Sequence, residues 1–279
     1  YKVFSGATFR REEWLLAFFG LLGPEVVTPF YTEQLISFYE QSTLQGLYFR
    51  DQIWDKYLPH RPTLYRDILT ALIERYRTKG IWYDLEYDFF SESIGRFDPI
   101  ADLPLLKKAY LLQLENNRTG HYDSDRQDLR ALLTLDPGFL LEFVEAHYEL
   151  QSDNISHPEI DNLGFIWQLE DAIEWAMKVI TLMKSKSRYD FLHARYKSFF
   201  EQVPPNSKEM VIAFLRVFVQ TYQSEPKEIE SLTQALLEVG LEEEWSFCLR
   251  EFLSINRSLS EFKMIDLAPH GGGGGADFN

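Results

Sequence analysis

The chain has 279 residues, with 43 acidic against 28 basic side chains and a formal net charge of −15. That field repels polyanions, and nucleic-acid binding, which draws its affinity from Lys and Arg neutralising phosphates, is disfavoured. One cysteine, Cys248, excludes an intramolecular disulfide and points to a reducing cytoplasm, and no apolar run is long enough to span a membrane.

Arg11–Leu22 carries Trp14, Leu15, Phe18, Phe19 and Leu22 at helical spacing, and Gly23–Pro24 ends it. Thr28–Pro29 reads as an N-cap followed by proline in the first turn, opening a helix to about Gln41. A short helix around Tyr48–Tyr57 precedes Leu58–Pro59, and Thr63 opens a long amphipathic helix from Leu64 to about Thr78, stopped near Gly80. The segment 81–97 is dense in aromatics with weak periodicity and reads as a short helix plus loop. Leu103–Leu114 is helical, Glu115–Asp128 reads as a polar loop, and Asp136–Pro137 restarts a helix to about Leu150. Ser152–Asp161 is a second polar connector. Beyond it Leu163–Met183, Arg188–Gln202, Lys208–Tyr222, Glu228–Val239 and Glu242–Leu253 are each amphipathic, and no strand alternation is present. Five glycines, Gly271–Gly275, read as flexible linker, because the Lys–Ser/Thr of a phosphate loop does not follow.

One helix ending recurs along these elements: an apolar pair followed by an aromatic close at Tyr39, Tyr76, Tyr110 and Tyr148, roughly 34–38 residues apart. That period matches one helix–turn–helix unit of a stacked array. The expected fold is all-α, an alpha solenoid of about seven TPR-like hairpins in a right-handed superhelix. It would cover 1–267, with a flexible tail over 268–279. The opening on Tyr1 in place of Met suggests a piece of something longer.

Chemistry is harder to find. His121, Asp123, Asp125 and Asp128 form a compact set of hard ligands, but from Asp123 the sixth and twelfth positions are Asp128 and Thr134, so the EF-hand pattern fails. A solvated, self-capping turn is the plainer reading. His147 and His157 lack helical zinc spacing, His193 sits in an apolar pattern, and no Gly–x–Ser–x–Gly elbow presents a nucleophile. Cys248, in an apolar run, reads as a small buried hydrophobe. Lys184, Lys186, Arg188, Arg195 and Lys197 are the best basic candidates and read as a solvated helix face. No catalytic residue, metal or cofactor is expected. The aromatics of 81–97, extended by Trp54 and Tyr57, have two readings: ordinary core filling, or a partner surface of the kind that aromatic hot spots make. On the second reading Trp54, Tyr57, Trp82, Tyr83, Tyr87 and Phe89 are the binding residues. The acids among them, Asp84, Glu86, Asp88 and Glu92, favour a basic protein.

The stretch Trp245–Leu267, with its helix ending at Asn256 and running into Phe262–Lys263 and Met264–Ile265, resembles the C-terminal helical-repeat regions of prokaryotic antiviral STAND NTPases. The aromatic helix pairs closing on tyrosine fit those arrays as well. The resemblance implies a sensor that recognises a phage protein, such as a terminase subunit or portal, in the infected cell. Recognition there drives ATP-dependent oligomerisation of the full-length protein through a central NTPase, and an N-terminal effector then acts. This chain has no Walker lysine, so the resemblance implies the sensor part alone and carries over no catalytic residue. The alternatives are a passive scaffold or adaptor with a constitutive host partner and, further off, a metal-dependent hydrolase using His121, Asp123 and Asp125.

Overall fold

The computed structural model describes residues 2–45, 50–86, 88–116, 122–150, 163–186 and 193–256. Every regular element among them is helical, so the protein is all-α. By its contacts the chain divides into two compact units, Tyr1–Leu150 and Gln151–Asn279.

The first unit contains α1 (Lys2–Leu21), α2 (Pro29–Gln41), α3 (Arg50–Tyr57), α4 (Leu64–Lys79), α5 (Phe89–Ser93), α6 (Leu103–Asn116), α7 (Gln127–Leu133) and α8 (Phe139–Leu150). Local chemistry explains several of these boundaries. Pro29 sits in the first turn of α2, where its missing N–H costs nothing. Gly80 closes α4 in the left-handed region, φ +66°, and its N–H bonds the Tyr76 carbonyl at 2.8 Å, as expected of a glycine C-cap. Thr28 and Thr63 hold the N-cap positions, but neither side chain makes a capping bond. Thr32 Oγ1 donates back to the Thr28 carbonyl, and Thr63 Oγ1 turns to Asp67.

Most helices pack on the helix two further along, α1 on α3, α2 on α4, α4 on α6, α5 on α7 and α6 on α8, while α3 also meets α4 and α7 also meets α8. The bonds between them show that these pairs run parallel. Lys79, at the end of α4, donates to the Gln41 carbonyl at the end of α2 (2.8 Å). Tyr76 Oη donates to Glu115 near the end of α6 (3.2 Å), and Lys107 to Glu142, early in α6 and α8 (2.7 Å). Residues so joined are 38, 39 and 35 apart in sequence, the tyrosine period restated in space. The four tyrosines stand on α2, α4, α6 and α8, successive members of one parallel row.

Buried polar groups stitch the connections to this row. Arg75, wholly buried in α4, donates from Nη1 to the Ser42 carbonyl (3.1 Å) and from Nε to the Ile81 carbonyl (3.2 Å). Burial lowers its pKa to about 10, so the guanidinium stays charged at neutral pH. Gln113 of α6 accepts from the Trp82 indole (2.7 Å) and the Leu85 N–H (2.9 Å), pinning the extended segment 81–86.

The second unit contains a 3-10 turn (Gly164–Gln168), α9 (Ala172–Lys186), α10 (His193–Phe200), α11 (Lys208–Thr221), α12 (Pro226–Glu238) and α13 (Glu242–Ile255). The same rule holds: α9 packs on α11, α11 on α13, and α10 on α12. Asn256 donates to the Gln223 carbonyl 33 residues back, and Tyr196 Oη to Glu228 32 residues on (2.9 Å).

Two expectations are corrected. The polar stretch expected to run to Asp128 ends at Arg126, and Gln127–Leu133 form a helix, α7, that sequence periodicity did not reveal, because seven residues are too few for a 3.6-residue pattern to stand out. The single helix expected over Leu163–Met183 is a 3-10 turn and a separate helix. The turn is secured by the Trp167 indole donating to the Phe199 carbonyl (2.6 Å), and Asp171 at φ +56° breaks the run.

Candidate protein-binding surfaces

The rings expected to form a partner surface lie inside the first unit, and this corrects the expectation. Trp54, Tyr57 and Phe89 are wholly buried, and Trp82 and Tyr83 nearly so. Trp54 donates from its indole to Tyr39 Oη (3.0 Å) and meets Tyr39, Tyr65 and Phe89 edge-on, with centroids 5.6, 5.1 and 5.9 Å away. Tyr57 Oη donates to the Phe19 carbonyl, joining α3 to α1 (3.0 Å). Tyr83 packs on Tyr39 at 5.3 Å, and the Arg75 guanidinium lies over the Tyr83 ring, 5.6 Å from its centroid. Tyr87 lies outside the described residues. Enclosed in this way, the rings hold neighbouring helices together and turn no face outward. Their number exceeds one helix stripe because they fill the junction of α2, α3, α4 and α5.

The acidic cluster is equally structural. Asp123 (φ +52°) folds back so that Oδ1 accepts the Asp128 N–H (3.0 Å) and Oδ2 the Leu129 N–H (2.9 Å), which caps α7. Oδ2 also accepts from Tyr110 Oη at 2.7 Å. Asp128 accepts from Tyr122 Oη (2.6 Å) and from the Ser91 N–H of α5 (2.8 Å). All four carboxylate oxygens therefore already serve as acceptors. Burial pushes the Asp123 carboxyl up to about 6 and raises Asp128, against the lowering effect of these donors. Asp125 is exposed and accepts from Gln127 (2.7 Å), and His121 lies outside the described residues. Among the described residues no group of three His, Cys, Asp or Glu side chains is placed to hold a metal ion.

The remaining reactive candidates are quiet. Cys248 is wholly buried, its thiol pushed up to about 12 by burial, so it is no nucleophile at neutral pH. His147 is buried beside Phe143, with ring centroids 5.9 Å apart. Lys184 pairs with Glu225 and Glu228, and Lys197 with Glu238, so carboxylates answer both cations, while Arg188 and the Arg195 side chain lie outside the described residues.

Two surfaces of the first unit are shaped to receive something. One is a groove of about 490 Å³ beside α6, reaching α8. Leu103, Pro104, Leu111 and Leu112 give it apolar lining, while Lys107, Lys108, Glu115 and Glu142 bring charge. The other is the outer side of α1. Leu16 and Phe19 turn inward, but Trp14, Phe18 and Leu21 face water, and Val26 and Phe30 continue the apolar surface past the helix end.

No protein-family model matches the chain, and no curated protein or solved structure is similar to it.

Both surfaces join apolar side chains to charged neighbours. Apolar floors with charged margins suit a helix or extended segment of another protein, whose backbone carries its own hydrogen bonds. No helix among the described residues is long and apolar enough to cross a membrane. Sequence reading missed the α1 surface although its signal was present: residues 14, 18 and 21 share one helix side, and 16 and 19 the other. The groove is lined almost wholly by one side of α6, and only Glu142 comes from another helix, α8.

Proposed function

We propose that the chain is a protein-recognition module, an alpha solenoid of TPR-like helical repeats. In this reading it is the sensor region of an antiviral STAND NTPase that binds a phage protein, such as a terminase subunit or portal. Ligand would then favour the assembling state of the full-length protein, whose NTPase and effector perform the chemistry. The observation that supports it most is the parallel packing of most helices on the helix two further along, with bonded partners 32–39 residues apart. Stacked units of that period present long surfaces with grooves between helices, which is how such arrays bind proteins. The resemblance of Trp245–Leu267 supplies the family, and residues 245–256 of it fall in α13 and at its end.

The groove beside α6 is the proposed ligand site. Leu111 is half-buried on its lining and Lys108 exposed at its margin. The immobilised chain should retain a protein from lysates of phage-infected bacteria that uninfected lysates lack. The double variant Lys108→Glu/Leu111→Arg should lose about 30-fold or more in affinity for it, the effect of a removed hot spot, while its thermal midpoint stays within a few degrees of wild type. Retention of the same protein from uninfected cells would replace the sensor with a scaffold. Undiminished binding by the variant would move the site elsewhere.

A further inference from the structure

Helix α1 is apolar on two opposite sides, and the fold covers one of them. Leu16 and Phe19 pack inward, with Phe19 against Phe38 and Tyr57. Trp14, Phe18 and Leu21 lie on the other side at i, i+4 and i+7, exposed by 74%, 44% and 83%. Phe30, at the start of α2, adds a further ring that is 65% exposed. At roughly 150–250 Å² per aromatic side chain, Trp14, Phe18 and Phe30 alone hold on the order of 400 Å² of surface in water. With Leu15, Leu21 and Val26 the patch passes the size usual on a monomer, about 300–600 Å², and approaches the roughly 800 Å² per partner of a standard interface.

We propose that this face is closed by α1 of a second copy of the chain, in a two-fold dimer whose axis passes near Phe18. An isologous contact needs a self-complementary patch, in which residues equally spaced on either side of the axis suit one another. Counting outward from Phe18 along two antiparallel helices, Leu21 of one copy meets Leu15 of the other. Arg11 lies before the patch and Glu25 in the turn just past the end of α1, so the antiparallel arrangement brings the Arg11 end of one copy to the Glu25 end of the other. Both are exposed and of opposite charge, so the margin is complementary where the centre is apolar. This inference is independent of the groove, because the two surfaces belong to different helices.

Sedimentation velocity of the full chain from about 1 to about 100 μM, the span over which a micromolar dimer fills, tests the dimer. Wild type should pass from monomer to dimer. Trp14→Glu/Leu21→Glu, at two exposed positions, should raise the dissociation constant by about 30-fold or more, with the helical circular dichroism and melting curve retained. Arg11→Glu should weaken the dimer about tenfold, and adding Glu25→Arg should restore most of the loss, which only a contact across the axis predicts. A chain that stays monomeric throughout, a dimer indifferent to Trp14→Glu/Leu21→Glu, or a charge swap without rescue would each overturn the proposal. Binding of a different protein's helix to the monomer would do so as well.

Discussion

Replacing Trp54 by alanine is expected to destabilise the first unit by about 3–5 kcal/mol, the usual cost of deleting a buried large aromatic. The indole is wholly enclosed, touches three rings edge-on and donates to Tyr39 Oη. Its removal opens a cavity where α2, α3, α4 and α5 converge and leaves a buried phenol short of a donor. Trp54→Phe keeps most of the volume and loses only the N–H, so it should cost nearer 1–2 kcal/mol. Urea unfolding of the full chain, followed by near-ultraviolet circular dichroism, distinguishes the two. An alanine variant that melts with wild type but fails to bind a ligand would return Trp54 to the surface role the sequence suggested.

Asp123→Ala should cost about 2–5 kcal/mol. The carboxylate caps two N–H groups at the start of α7, worth about 1–2 kcal/mol, and its loss strands the buried Tyr110 hydroxyl, worth about 1–3 more. Asp123→Asn retains one acceptor oxygen and should cost about half as much. Loss of α7 helicity in hydrogen exchange, at Asp128 and Leu129 first, would trace the damage to the cap.

The same carboxyl sets a pH dependence. Burial raises it from the usual 3.8 to about 6, so between about pH 4 and pH 6 the folded chain binds more protons than the unfolded one. The contribution of this group to stability therefore increases as the pH falls through that window, and Asp128, raised by the same cause, acts in the same sense. Asp98, lowered by backbone N–H donors, and Asp136 and Glu74, lowered by Lys107 and Arg77, act oppositely. Their contribution is lost only below about pH 4. The melting temperature of wild type relative to Asp123→Asn should thus rise from pH 7 to pH 5. A difference that stays flat would mean that the donors around Asp123 outweigh its burial.

The contrast between the two aromatic groups explains what was legible. Trp14 and Trp54 both stand at helical spacing among apolar neighbours, yet one is 74% exposed and the other wholly buried. A 3.6-residue stripe records that a face is apolar, while the neighbour that covers it comes from another part of the chain. The acidic turn teaches the same lesson. Alternating carboxylates at 123, 125 and 128 look alike in sequence, but only Asp123 and Asp128 turn inward to accept phenol and backbone donors, and Asp125 stays in water.

By itself the sequence determined that the protein is helical, where its glycines and prolines end helices, and that a tyrosine-closed ending recurs at about one helical hairpin. These are local matters, decided by backbone sterics and by side-chain spacing along a single helix. Only the tertiary structure decided which helices pair, that they run parallel two apart, that the ring cluster is core, and which apolar faces are left in water. Those properties depend on contacts between residues some 30–40 positions apart, and one helix's periodicity carries no information about its neighbour.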